Sequence, residues 1–369
     1  MLKITLIFYL VNFLNCEEPK TDIVLVQAIF RHGVRSILID YPNDTFRTYW
    51  DKYGGYGQLT PVGMKQLYEY GIFFKNRYSN FLSPYYHNSK VFAKSTDYDR
   101  TIQSVLSFLS AVYKPSKDQE WNSNPNLSDY LPIPVRILEL ASDKTKCERY
   151  EELRNEMRSS HEYLALQAQN QEFLNLMIEK SGLTNLKNNQ YMIWQIADKA
   201  MVEEAHNLPV DKYIQDNYNK IMEMNDHTFQ IDFVTDEMGK LNSGGLLNEI
   251  VNNIKKKFIG SKAELFVYGV HDNNVAGMQK ILNTSNKFVQ PEFASGFVFE
   301  LRKDVENNYY VQVFSKNNKF NEPNILSLVK VNGCDELCPL NKFLNLTSNK
   351  LVTNFKEICQ AKFTGQNEL

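Results

Sequence analysis

Three clusters of chemistry-bearing side chains recur at one kind of place, where an apolar run ends and a helical pattern follows. The first is Arg31-His32-Gly33-Val34-Arg35, directly after Ile23 to Phe30. Two guanidiniums flanking an imidazole at the carboxyl end of a strand would press an anion against the ring, since open α/β sheets bind ligands there. Gly33, without a side chain, would let backbone amides approach that anion. The second cluster, Ser95-Thr96-Asp97-Tyr98-Asp99-Arg100, sets Arg100 at the N-terminus of a helix beginning near Thr101, where free amides and the macrodipole also favour an anion. The third is His271-Asp272-Asn273-Asn274, again at a strand-to-helix junction. Singly, each has an ordinary structural explanation as a basic surface turn or a helix cap. Jointly, neighbouring strands would bring them into one site.

The residue types then suggest a reaction. A phosphate monoester repels nucleophiles, so its cleavage needs charge neutralisation and in-line positioning, which Arg31, Arg35 and Arg100 supply without a metal. His32 is the expected nucleophile, because nearby guanidiniums disfavour imidazolium and keep a lone pair available at acid pH. Asp272 is the expected proton donor to the departing alkoxide, with His271 binding phosphate beside the arginines.

The elements that must hold these groups read as α/β. Ile23 to Phe30, Val91 to Ala93 and Leu265 to Val270 look like buried strands of a mainly parallel sheet. Thr60-Pro61 opens a helix carrying Met64, Leu67, Tyr68 and Gly71. Ile102, Val105, Leu106, Leu109 and Val112 stripe a second helix, and Val275, Met278, Ile281 and Leu282 a third. Another helix is expected to start near Gly245. From Arg149 to Met238 helices occur without clear strands, so residues 149–238 are expected to form a smaller helical cap domain, with 17–148 and 239–369 forming the α/β catalytic domain. Gly296 to Leu301 and Tyr309 to Phe314 alternate like an antiparallel pair at the sheet edge.

Composition sets the context. The chain has 369 residues, 43% hydrophobic and 23% charged, which suits a globular fold of one large and one smaller unit. A net charge of −2 argues against a polyanion-coating role, so no nucleic-acid partner is expected. Residues 1–16, with Lys3 before an apolar run, read as a secretory signal too short to span a bilayer, and no later run would anchor the mature chain. The remaining cysteines are even in number: Cys334 and Cys338 can close a tight loop, leaving Cys147 and Cys359 as a long-range tie. They show no zinc spacing, and no metal or cofactor is expected. Sequons at Asn43, Asn126, Asn283 and Asn345 jointly agree with a secreted or lysosomal glycoprotein.

Here the sequence resembles the histidine acid phosphatases, in the branch containing the prostatic and lysosomal enzymes. The resemblance rests on RHGVRSI, STDYDRT and VHDNN, and extends through YGQLTPVGM, LPIPV, SGGLLNEI and GCDELCP. It implies a phosphoglycerate-mutase-like sheet and an acid phosphatase acting on small phosphate monoesters or phosphorylated peptides. By matching motifs it implies His32 as nucleophile, Asp272 as proton donor, and Arg31, Arg35, Arg100 and His271 as phosphate ligands. It implies the same cysteine pairing, and relatives are commonly dimers, so a homodimer fits it. The chain departs from the pattern at Ile37, where proline is usual, at Lys94, where arginine is usual, and at Asn273-Asn274, where a threonine pair is typical. Two alternatives remain: a phytase-like phosphatase, which needs a more basic pocket, and a catalytically weak secreted binding protein, which intact catalytic positions disfavour.

Overall fold

The computed structural model describes residues 20–122, 130–139, 147–284 and 289–360. The expected signal segment 1–16 and the sequon at Asn126 lie outside them. Eight strands form one sheet: β1 (Thr21–Arg31), β2 (Val91–Ser95), β3 (Val135–Ile137), β4 (Leu265–Val270), β5 (Gly296–Asp304), β6 (Tyr309–Lys316), β7 (Ser327–Val329) and β8 (Leu337–Pro339). Their order is β3-β2-β4-β1-β5-β6-β7, with β8 also on β6. The first four are mutually parallel, whereas β5 runs antiparallel to β1, as do the later neighbours to one another.

Strand periodicity divides the core in two. Along β1, Leu25 and Ile29 face one apolar cluster while Val26, Ala28 and Phe30 face the other. The first cluster is covered by α8 (Asp236–Lys257) and α9 (Asp272–Leu282), the second by α1 (Pro61–Arg77) and α2 (Asp99–Val112). Both faces of β1 and β4 are buried, which explains runs without polar alternation. Because β4 lies between β1 and β2, the carboxyl ends of all three are neighbours.

Between β3 and α8 come α3 (Glu148–Arg158), α4 (His161–Gln169), α5 (Gln171–Ser181), α6 (Trp194–Ala205) and α7 (Lys212–Asp232). These helices bury their own cluster, with Leu174, Met177, Ile193, Ile196 and Ile221 at its centre and Tyr41 entering from the loop after β1. Two short helices, α10 (Leu340–Thr347) and α11 (Phe355–Ile358), end the described chain. Disulfides join Cys147 to Cys359 and Cys334 to Cys338.

Two expectations are corrected. The helix expected near Gly245 starts at Asp236, capped by the Thr235 hydroxyl accepting from the Met238 amide, so α8 runs across the boundary placed at 238/239. Gly244 sits inside it because a Cβ there would come within 2.6 Å of the Lys350 carbonyl oxygen, so the glycine marks close packing rather than a start. The β5–β6 pair is internal, not at the edge: β5 lies beside β1, and β6 carries the short β7 and β8.

Candidate active site

β1 ends at Arg31, and the chain that follows is fastened on several sides. The His32 amide donates to Val270 O on β4 at 3.0 Å, and the Ala294 amide donates to His32 O at 3.1 Å. The Gly33 amide donates to Ser104 Oγ on α2 at 3.0 Å, and the Val34 amide to Gln66 Oε1 on α1 at 3.2 Å. Gly33 therefore does not offer its amide to an anion, as the sequence suggested. A Cβ at Gly33 would meet Gly63 O at 2.5 Å, so the glycine permits contact with α1 instead.

These bonds fix the His32 ring. Its Nδ1 lies 2.9 Å from Gly33 O, and a carbonyl only accepts, so Nδ1 carries the proton and Nε2 keeps a lone pair. The ring stands edge-on to His271 at 5.6 Å and tilted to Phe293 at 5.9 Å. Burial, reinforced by Arg100, Arg31, Arg35 and His271, pushes its pKa well below the ordinary histidine value. The buried, cation-ringed site thus favours the neutral imidazole over the imidazolium.

The arginines converge from three elements. Arg31 lies over the Phe293 ring at 4.1 Å, donates to Pro291 O, and places a terminal nitrogen 2.8 Å from Asp272 Oδ2. Arg35 makes a bidentate pair with Asp198 of α6, at 2.7 and 3.0 Å. Arg100 lies in the first turn of α2, over Tyr98 at 4.6 Å, and donates to His271 Nδ1 at 3.4 Å. The Nε atoms of all three are buried without a hydrogen-bond partner. Of the three guanidiniums, Arg31 and Arg35 are ion-paired, to Asp272 and Asp198, while burial, with Arg100 next, lowers the His271 pKa to about 3. Unsatisfied guanidinium donors from three elements thus gather beside the imidazole, as an anion site requires.

His271 caps α9, and its Nε2 is 3.0 Å from Thr96 Oγ1. Burial raises the pKa of Asp272, but Arg31 and the Gln290 amide together pull it the other way, to about 2. Beside these groups opens a cavity of about 270 Å³, whose walls include Tyr150, Tyr191, Trp194 and Phe229, with Arg35, Asp198 and Asp272 at one end.

A sequence profile described as the histidine phosphatase superfamily (branch 2) matches residues 22–316. The chain belongs to this superfamily. Among similar members, lysosomal acid phosphatase of Rattus norvegicus is 33% identical over 347 residues, covering 91% of this chain and 79% of that protein. Prostatic acid phosphatase of Homo sapiens is 30% identical over 371 residues, covering 97% and 93%. In fold, the superfamily member is also similar to the Hafnia alvei phytase in complex with myo-inositol hexakis sulphate, with a TM-score of 0.67 at 15% identity, covering 93% of this chain and 99% of that one.

All six residues singled out in the three motifs, Arg31, His32, Arg35, Arg100, His271 and Asp272, thus meet at one place. Asp198, Gln290, Phe293 and Ser104 were not singled out. For Asp198 a signal existed: a charged Asp198-Lys199 pair within the apolar stripe of Ile193, Ile196 and Met201, both members buried. Ile37 packs with Val34, Trp50, Val202 and Phe293, so the residue standing where proline is usual fills an apolar cluster below the loop. Asn43, Asn283 and Asn345 are exposed. Among the described residues no His, Cys, Asp and Glu group is arranged to hold a metal ion, and no helix is long and apolar enough to cross a membrane.

Proposed function

We propose that this protein is an acid phosphatase that hydrolyses phosphate monoesters through a phosphohistidine on His32 Nε2. The observation that carries the reading is the buried imidazole whose Nδ1 is tied to Gly33 O while three arginines nearby disfavour its charged form. The ester phosphate binds Arg31, Arg35 and Arg100, with His271 turning its Nε2–H from Thr96 to the anion. The Nε2 lone pair attacks phosphorus, the phosphorus–oxygen ester bond breaks, and Asp272 delivers its proton to the leaving alkoxide. The phosphoimidazolium keeps its Nδ1–H on Gly33 O. Water then attacks phosphorus, returning a proton to Asp272 as the phosphorus–nitrogen bond breaks and inorganic phosphate forms.

The low pKa of Asp272 must be reconciled with its role as an acid. Arg31 is the charge that holds it down, and a bound phosphate competes for Arg31 while adding negative charge beside the carboxyl. Substrate thus raises the pKa of its own proton donor, and an acid medium completes the protonation.

Small monoesters or phosphorylated peptides suit the aromatic-walled cavity as leaving-group space. A phytase-like preference is disfavoured because Arg154, the other cation in that wall, is already bound by Asp232 and Glu151. We assign the helices between β3 and α8 as the cap domain expected over residues 149–238, supplying those walls, and the disulfides fit the oxidising secretory or lysosomal compartments. A homodimer is part of the same proposal. The test is His32→Ala with p-nitrophenyl phosphate at acid pH. Turnover and the acid-labile phosphoenzyme should both vanish, and a label that survives the change would overturn the nucleophile.

A further inference from the structure

Asp272 is held by more than Arg31. Gln290, in the segment before β5, donates its Nε2–H to Asp272 Oδ2 at 3.1 Å. Behind it, Asn225 of α7 donates Nδ2–H to Gln290 Oε1 at 2.9 Å, and Asp226 accepts the Gln290 backbone amide at 3.1 Å. Asp272 Oδ1 meanwhile accepts from the Asn273 amide at 2.9 Å. Both carboxyl oxygens are therefore oriented, one by the backbone and one by a chain of two amides reaching into α7.

The amide chain has a further property. Asn225 is buried and its Oδ1 has no hydrogen-bond partner. When Asp272 carries its proton on Oδ1, Oδ2 is a carbonyl oxygen and still accepts from Gln290 Nε2. The amide chain thus bonds the carboxyl in both protonation states and leaves the proton for the leaving-group oxygen.

We propose that Gln290, steered by Asn225, is a positioning residue that keeps Asp272 aimed at the leaving-group oxygen through both of its protonation states. The proposal rests on the reading of Asp272 as proton donor. Asp272 is faced by Arg31 and Arg35 from β1 and the loop after it, by Arg100 from α2, and by His271 beside it, with Asp226 and its neighbour His227 behind Gln290 on α7.

The test compares alkyl phosphates, which need the proton, with p-nitrophenyl phosphate, which needs it little. Gln290→Leu should lower kcat for alkyl phosphates by ~10–100-fold, the scale on which supporting residues act, and for p-nitrophenyl phosphate by less than about 3-fold. Inhibition by inorganic phosphate should be unchanged. The alkaline limb of the pH profile should move upward, because a charge-assisted bond to the carboxylate is lost. Asn225→Leu should give the same pattern more weakly, and decides the matter if Gln290→Leu does not fold. Asp272→Asn separates the two ideas. If it fails to discriminate between ester classes, the proton-donor reading fails; if it discriminates but Gln290→Leu and Asn225→Leu slow both classes equally, the positioning role is overturned.

Discussion

Two buried charge clusters sit back to back on α6, and neighbouring residues belong to one each. Asp198 reaches Arg35 in the site, whereas Lys199 lies fully buried among Asp44, Glu203 and Asp211. In the site, three guanidiniums converge and buried donors are unsatisfied; around Lys199, three acids surround one cation, and buried carboxylate oxygens of Asp44, Glu203 and Asp211 are the unsatisfied atoms. The contrast separates a binding site from a brace. A cluster that can receive an anion holds spare donors, while one in which acids from the loop after β1, from α6 and from the start of α7 gather on a single buried cation fastens those elements together.

Lys199→Met should break the brace most severely. Three carboxylates left without their cation would cost ~3–5 kcal/mol of stability, read by denaturant unfolding, while kcat of the folded fraction stays near wild type. A matching loss in kcat would erase the distinction between brace and site. Asp198→Leu, one residue away, should act oppositely. Arg35 loses its orientation, and KM and the phosphate inhibition constant should rise ~30–100-fold, equivalent to about 2–3 kcal/mol, with a smaller change in kcat.

The brace should also respond to pH. Burial among other carboxylates raises the Glu203 pKa to about 7, despite its contact with Lys199. A folded value above the unfolded one means that this stability is complete below about pH 4.5 and is lost as pH rises through about 7. Glu203→Gln should flatten that decline, removing about 3 kcal/mol of pH dependence, as measured by unfolding across pH 4–8. The smallest effect sharpens the site's side of the contrast. Inorganic phosphate at ten times its dissociation constant should stabilise the protein by about 1.4 kcal/mol, and Arg100→Met should remove most of this.

What the sequence showed, and what it did not, follows the same division. Arg31, His32, Arg35, Arg100, His271 and Asp272 were legible because each lies within a few residues of a strand end, and parallel strands align their ends. Asp198 was not, since its bond to Arg35 spans 163 positions and depends on how α6 packs against the sheet. Gly33 was recognised but misassigned, because the reason for it is Gly63 on another element. The start of α8 is displaced for a similar reason: Gly244-Gly245 resembles a helix boundary, but Gly244 is there for the approach of Lys350. The nearer signal, Thr235 followed by Asp236, is an ordinary cap. Local chemistry could be read along the chain; reasons held by distant backbone could not.

The bond between Cys147 and Cys359 also sets a timetable. Its partners are separated by 212 residues, and those of the other disulfide by four. At synthesis rates of ~5–20 residues per second, Cys147 emerges roughly 10–40 s before its partner, whereas Cys338 follows Cys334 within about a second. Cys147 therefore waits as a thiol through most of translation, and Cys334 and Cys338 reach the lumen before Cys359 does. Any premature pairing of Cys147 with either must be undone by thiol–disulfide exchange before the last cysteine can close the molecule.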